Sequence, residues 1–416
     1  MRLSSLLIIP VAAVALSGCA YAAQAPATKA TAKCDPDNAG LTLAPGFCAT
    51  LFASVPGARH LAIAPNGDLF VAAQGRAGGL FLLRDRDGDG HSDTTATFVT
   101  GNGTGVTVGD GAVYFSPADK VLRFGYTPGS LAPNGPPTTV VSGLPTGGHT
   151  AKTLAMGKDG FLFVDHGSMT NACQVEDRKE RSPGQQPCAE LAVRAGVWRY
   201  DSRKSDQTPA TGERWATGLR NVMAIAVDPA SGALYGATHG RDNLSSNWGF
   251  TSEDNAEKPS EEFGIIPRGA DYGWPYCYHD PIAKKKVQAP EYGGDGVKQG
   301  DCGQRTQPLI AFPGHWAPLA LTFYTGNAFG DQYRGGAFLA FHGSWNRAPL
   351  PQAGYRVVFI PFKGGKPTGD YTTFATGTES ATSVRPSGVA VSPDGTALYI
   401  AADAQGKIWR VNLSPK

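Results

Sequence analysis

Pro65-Asn66-Gly67-Asp68-Leu69-Phe70-Val71-Ala72 decides the fold. An Asn-Gly step is a hairpin turn, and the apolar, β-prone run after it reads as a strand. The same phrase recurs as Gly109-Asp110-Gly111-Ala112-Val113-Tyr114-Phe115 and Lys158-Asp159-Gly160-Phe161-Leu162-Phe163-Val164. It returns as Asp228-Pro229-Ala230-Ser231-Gly232-Ala233-Leu234-Tyr235, Tyr333-Arg334-Gly335-Gly336-Ala337-Phe338-Leu339 and Pro393-Asp394-Gly395-Thr396-Ala397-Leu398-Tyr399-Ile400, six copies in all. Several follow a second alternating strand, such as Leu61-Ala62-Ile63-Ala64 and Gly388-Val389-Ala390-Val391. No long segment has the apolar spacing of a helix. Like units of strand repeated at tens of residues close into a ring, so the expected fold is an all-β, six-bladed propeller over residues 34–416. The copies are unevenly spaced, with the excess chain at 166–195 and 240–315, so long loops at one mouth of the propeller are the expected seat of chemistry.

Composition agrees. Gly (54) and Pro (31) make up about a fifth of the 416 residues, as many short strands and turns require. The formal net charge is +2 and there is no basic block, which argues against nucleic acid as a partner. Met1-Arg2-Leu3 followed by an apolar stretch from Leu6 to Leu16 reads as a signal peptide, too short to span a membrane. It ends Leu16-Ser17-Gly18-Cys19, which resembles a lipobox: residues 1–19 would be the lipoprotein signal, Cys19 the lipidated residue and 20–33 a flexible tether. Ordinary cleavage near 20–23 is the other reading. A residue other than Asp after the Cys points to the outer membrane, so a periplasmic protein touching the membrane only through its N-terminal lipid is expected. The remaining six cysteines fall in sequence-local couples, giving expected disulfides Cys34–Cys48, Cys173–Cys188 and Cys277–Cys302 out of fifteen connectivities. There is no CxxCH and no CxxC, so neither attached haem nor a dithiol motif is expected.

Candidate chemistry lies beside the repeats. Gly147-Gly148-His149-Thr150 precedes the third, placing a His where it can act as a base or bond a loop. Gly218-Leu219-Arg220-Asn221 precedes the fourth and Arg385-Pro386-Ser387-Gly388 the sixth, so two Arg at equivalent positions suggest a carboxylate pocket or blade-to-blade ion pairs. Thr238-His239-Gly240-Arg241-Asp242, with Glu261-Glu262 and Gly269-Ala270-Asp271-Tyr272-Gly273-Trp274-Pro275 beyond, can offer carbonyl oxygens to a hard cation, the carboxylates orienting the loop. Phe341-His342-Gly343-Ser344-Trp345-Asn346-Arg347 and Pro313-Gly314-His315-Trp316 carry aromatic, amide and cationic groups able to hold a flat ring or to pack under a loop. Asp85, Asp87, Asp89 and Asp93 follow the start of a calcium loop, although Ala96 stands where its last ligand belongs; a structural Ca²⁺ or a plain Asp-rich turn are the two readings. The nucleophile elbow, the P-loop and the dinucleotide fingerprint are all missing.

Taken in order, these motifs resemble the soluble pyrroloquinoline quinone (PQQ)-dependent sugar dehydrogenases, above all their sorbosone dehydrogenase-like branch, over about residues 45–412. The resemblance implies a six-bladed propeller binding PQQ and Ca²⁺ and oxidising an aldose or related hydroxy-aldehyde, with electrons passed to a separate acceptor. It implies His149 as catalytic base, Arg220 and Asn221 as cofactor contacts that stabilise its reduced form, Gly240 and Arg241 as carbonyl ligands of Ca²⁺, and Arg385 as a cofactor-carboxylate contact. The chain departs from the pattern where Ser168 replaces an Asp that orients the base, leaving Asp165 as the expected substitute. A cofactor Lys is also missing, leaving Trp345, Asn346 and Arg347 in its place. A calcium-dependent propeller lactonase or esterase, and a non-catalytic envelope propeller, are the alternatives.

Overall fold

In the computed structural model the described residues are 33–380 and 382–415; the signal, Cys19 and the tether up to residue 32 lie outside them. Six antiparallel blade sheets, five of four strands and one of five, one per sequence repeat, are arranged as a propeller. Blade one is Ala58–Ile63, Leu69–Ala73, Gly79–Arg84 and Thr94–Thr100. Blade four is Ala224–Val227, Leu234–Thr238, Glu261–Ile265 and Ile310–Phe312. The first strands of successive blades touch one another round the ring, the sixth returning to the first.

The turn chemistry explains the hairpins. The glycine in each repeated turn has positive φ, from +67° at Gly111 to +91° at Gly67, a region that side chains with a Cβ avoid. The strand after each turn is clamped between neighbouring blades. Leu69–Ala73, Ala112–Ser116, Leu234–Thr238, Ala337–Phe341 and Leu398–Ala402 are buried at every position. A strand covered on both faces reads as continuous apolar sequence, not as alternation.

The ring closes with both ends of the chain. Phe47–Ser54 pairs antiparallel with Lys407–Leu413 as the outer strand of blade six, and Leu41–Leu43 adds a fifth strand to blade five. The three expected disulfides are formed, with Cα–Cα distances of 5.7, 6.1 and 5.6 Å; such bonds suit an extracellular or periplasmic setting. Among the described residues there are two short α-helices, Leu244–Trp248 and Ser252–Glu257, and no helix long and apolar enough to cross a membrane.

Strand direction places the site. Segments before each first strand and after each second strand lie at one end, and the repeated turns lie at the other. The excess chain follows this rule at blade three, where 167–195 leaves the mouth end and is closed by Cys173–Cys188. In blade four, residues 266–272 leave from the far side but run along the outer strand of blade three: Trp215 Nε1 donates to Ile266 O (2.7 Å) and Tyr272 N to Thr217 O (3.0 Å). This brings Trp274 back to the mouth, where its backbone N donates to Gly218 O (3.1 Å).

Candidate active site

A backbone ladder joins blades three and four at the mouth. His149 N donates to Ser168 O (2.9 Å), Ser168 N to Arg220 O (2.8 Å), and His239 N to Asn221 O (3.0 Å). Two glycines permit this closeness. Gly148 has φ +56°, and a Cβ there would sit 2.1 Å from Met169 O. A Cβ on Gly167 would lie 2.5 Å from His149 O and 3.1 Å from Asn221 Oδ1.

The tautomer of His149 follows from its neighbours. Its Nδ1 lies 3.0 Å from Ser168 O and 3.0 Å from Ser168 Oγ. A carbonyl oxygen only accepts, and the Ser168 hydroxyl spends its own proton on Thr170 O (2.6 Å), so Nδ1 carries the hydrogen. Nε2 is therefore the lone-pair nitrogen. It has no hydrogen-bond partner among the described residues and is not sealed in the interior. Burial, then the charge of Arg220, hold the imidazole far below its usual pKa, with the Ser168 contact opposing. His149 is thus a neutral imidazole with an unpaired acceptor nitrogen.

Arg220 is 4% exposed. Nε donates to Asn171 O (3.1 Å), Nη1 to Gly240 O (3.0 Å), and Nη2 to Asn171 Oδ1 (3.0 Å) and Asp242 Oδ2 (2.9 Å). Four of its five N–H groups are spent, and one on Nη1 remains. Burial alone would raise the Asp242 pKa, but Arg220, His315 and Arg178 together hold it well below the carboxylate range. Asn221 is buried, and its Oδ1 has no partner. Arg385 donates through Nε to His342 O (3.1 Å) and through Nη2 to Gly343 O (3.0 Å) and His342 Nδ1 (3.1 Å). Its Nη1 is left without a hydrogen-bond partner among the described residues and is not sealed from solvent. His342 turns its other nitrogen to Asp403 Oδ1 (2.8 Å), whose second oxygen takes Arg59 (2.6 Å), a chain across blades five, six and one.

The Gly240–Arg241 segment is held from behind. Glu261 accepts from Gly240 N (2.9 Å) and Ala317 N (3.0 Å); burial pushes its pKa up to about 7. Glu262 pairs with Lys286 (2.7 Å). Arg241 Nη1 meets Glu291 (2.6 Å), both buried, and Trp248 Nε1 donates to the same carboxylate (2.8 Å). Of the acidic pair, Glu261 thus orients the Gly240 backbone, while Glu262 is taken up by Lys286. Gly240 O already accepts from Arg220, whereas Arg241 O accepts no hydrogen bond from the described residues.

A profile of the TrAA12-like family matches residues 41–414. The chain belongs to this family. A curated relative, a pyrroloquinoline quinone-dependent pyranose dehydrogenase of Coprinopsis cinerea, is 27% identical over 252 residues, 51% of this chain and 33% of the relative; the chain therefore spans about a third of the length of that relative. Two solved structures share the fold. The calcium structure of Trichoderma reesei carbohydrate-active enzyme family AA12 has a TM-score of 0.76 at 20% identity, covering 90% of this chain and 97% of that one. The holo form of the PQQ domain of Coprinopsis cinerea pyranose dehydrogenase has a TM-score of 0.74 at 21% identity, covering 89% and 97%.

In this TrAA12-like chain, His149, Arg220, Asn221, Gly240 and Arg241 gather at the junction of blades three and four, and Arg385 lies at the same end. Three expectations need revision. Asp165 does not orient His149: its Oδ1 accepts from Val222 N (3.3 Å), its Oδ2 has no partner, and burial raises its pKa against the nearby Lys152. Ser168 is the partner of His149 Nδ1. Arg347 braces loops: it donates to Ala256 O (2.6 Å), Gly314 O (3.0 Å) and Pro351 O (3.1 Å), and pairs with Glu257 (2.5 Å). Asn346 is buried with it, its amide against His315 Nε2 (3.1 Å). Of that segment only Trp345 is exposed, at 61%. Asp85, Asp87 and Asp89 bring carboxylate oxygens within 4.8 Å of one another. Asp93 instead accepts from Arg86 N (2.6 Å). That loop joins the outer strands of blade one on the far face, beside the 65–67 and 392–396 turns, away from the mouth. Sequence reasoning gave no role to Asn171 or Asp242; both act through contacts between segments about 70 residues apart, which no local motif announces.

Proposed function

We propose that the protein is a quinoprotein dehydrogenase that binds PQQ with Ca²⁺ at the propeller mouth and oxidises a sugar hydroxyl, His149 accepting the proton. The observation that carries the reading is the His149 tautomer: the base has its hydrogen on Nδ1 and a free, accessible Nε2. The names of the curated relative and of the structural neighbours support the choice of cofactor. The residues fit a flat tricarboxylate. Arg385 has an unspent Nη1, Arg220 one unspent N–H, Asn221 Oδ1 is a buried acceptor awaiting a donor, and Arg241 O is a free ligand for a hard cation. Bound, the quinone supplies a two-electron oxidant and Ca²⁺ polarises it.

The chain's own contribution is to bind and orient. Arg220 and Arg385 meet negative charge with fixed guanidinium planes. Ser168 O and Oγ hold the imidazole so that Nε2 receives a hydroxyl proton while Nδ1 keeps its own. Export by the N-terminal signal, lipidation at Cys19, an aldose-type substrate and a separate electron acceptor complete the proposal; Trp345 offers an exposed ring to a ligand at the mouth.

The test is reconstitution of the purified protein with PQQ and Ca²⁺, followed by a sugar panel. Stoichiometric binding and bleaching of the quinone spectrum by a sugar are expected; no binding refutes the proposal. His149→Ala should lower turnover by about 10²–10⁴-fold with quinone affinity nearly unchanged, and full activity in that variant removes His149 from the reaction.

A further inference from the structure

We propose that Asn171 is a positioning residue: from the disulfide-closed loop of blade three it fixes the plane of the Arg220 guanidinium. Its value to the cofactor rests on the function proposed above, whereas the geometry of the guanidinium does not.

Asn171 is 1% exposed and stands two residues before Cys173, itself fully buried. Both of its oxygens face one arginine: the backbone O accepts Arg220 Nε (3.1 Å), and Oδ1 accepts Arg220 Nη2 (3.0 Å). The same Oδ1 accepts Asp242 N (2.8 Å), and Nδ2 donates to Asp242 O (2.9 Å). Both partners of Oδ1 are donors, so the orientation of the amide is fixed by its contacts. The residue is held in turn: its N donates to Asp177 Oδ1 (2.9 Å), and its O also accepts Trp274 Nε1 (3.0 Å). One residue, through its side chain and backbone together, thus ties the blade-three loop to the segment before the first strand of blade four, the segment after its second strand and the Trp274 loop.

The consequence follows from the shape of arginine. A carboxylate alone attracts a guanidinium but leaves it free to swivel, and Asp242 Oδ2 is already shared with Arg178 Nη2 (2.9 Å). Two acceptors on Asn171, spaced along the Nε–Nη2 edge, convert that attraction into a fixed plane. With Gly240 O on Nη1, a single N–H is left, in one direction. Preorganisation of this kind comes from the residues behind the contact.

The experiment compares Asn171→Ala, Asn171→Asp and Gln174→Ala. Gln174 braces the same loop through Lys179 O (3.1 Å), Ser182 O (3.2 Å) and Arg178 N (2.9 Å), yet touches neither Arg220 nor Asp242. PQQ affinity is read by fluorescence titration with Ca²⁺ present, and the quinone-free variants are crystallised. Asn171→Ala should lose about tenfold or more in affinity, with Arg220 turned out of its plane. Gln174→Ala should stay within about threefold; Asn171→Asp keeps both acceptors for Arg220 but loses the Nδ2 donor to Asp242 O and adds a charge, so it is read by the plane of Arg220 alone, which should be unmoved. Wild-type affinity with an unmoved guanidinium in Asn171→Ala overturns the inference, as does equal displacement of Arg220 in the Ala and Asp variants. Should Asn171→Ala fail to fold, a displaced Arg220 in Asn171→Asp overturns it, and an unmoved one supports it. If the wild type binds no quinone, the function proposed above falls, and the position of Arg220 in the crystals alone decides this inference.

Discussion

Glu291→Ala should destabilise the fold by more than any single change at the mouth surface. Glu291 has 0% side-chain exposure and faces Arg241, at 3%, across 2.6 Å. Removing the acid strands a buried guanidinium whose Nη2 already lacks a partner. Losing one member of a buried ion pair costs about 3–5 kcal/mol, and the Trp248 N–H that also uses this carboxylate adds about 1 kcal/mol. With an unfolding entropy of about 2.1 cal/mol/K per residue over roughly 380 residues, 4–6 kcal/mol becomes a fall in Tm of about 5–8 °C. The double variant Arg241→Met/Glu291→Met removes both charges. It should recover most of the loss, leaving about 1–2 kcal/mol for the unpaired Trp248 N–H and the lost bond from Arg241 Nε to Asp242 O. Scanning calorimetry or urea unfolding, with a check of reversibility, reads both. A Glu291→Ala variant within about 1 kcal/mol of the wild type refutes the argument, because the pair would then be hydrated and not sealed.

Ser168→Ala keeps the carbonyl partner of His149 Nδ1, so under the proposed function steady-state sugar turnover should fall by about tenfold or less; a loss of about 10³-fold would mean that the hydroxyl sets the tautomer. Gly167→Ala should separate His149 from Asn221 and cost about 1–3 kcal/mol in unfolding experiments; a neutral change would show that the contact is loose. Burial would raise the Asp403 pKa, but the hydrogen bond and charge of His342 and then the charge of Arg59 hold it below the carboxylate range. Its stabilisation is therefore present above the unfolded value of about 3.9 and lost as pH falls through the lower folded value. Asp403→Asn should be less stable than wild type in urea at neutral pH, with a gap that closes on acidification; a widening gap contradicts the sign.

The blades were legible because turn and strand are local. Gly67 and Gly395 announce hairpins through a backbone conformation that only a few residues tolerate, and the runs after them are apolar because blades cover both faces. The closing strand was not legible: Phe47–Ser54 carries no repeat turn, its partner Lys407–Leu413 lying at the other end of the chain. The site divides in the same way. His149, Arg220 and Arg385 stand in equivalent places relative to repeats, so spacing alone put them at one mouth. Asp165 misled because sharing a strand with the approach to the site says nothing about which way a side chain turns, and its carboxylate faces Val222 of the next blade. Arg347 misled because a cation in a loop suits an anionic ligand and a set of loop carbonyls equally well.

In the proposed reaction, the neutral partner Ser168 bears on the strength of His149 as a base and not only on its tautomer. A carboxylate on Nδ1 would fix the tautomer and also raise the basicity of the ring. Ser168 O and Oγ fix the tautomer with neutral dipoles, while burial and Arg220 push the imidazole towards its neutral form. As the proposed base, His149 is thus neutral near neutral pH, but weak. A weak base suffices only where the acidity of the substrate is raised or the product charge is met by cations already in place, and Arg220, locked by Asn171 and Asp242, is the cation closest in electrostatic effect to His149. The same guanidinium that depresses the imidazole would stabilise negative charge developing beside it, so base strength is exchanged for a fixed positive field, and the fixing falls to the loop that carries Asn171.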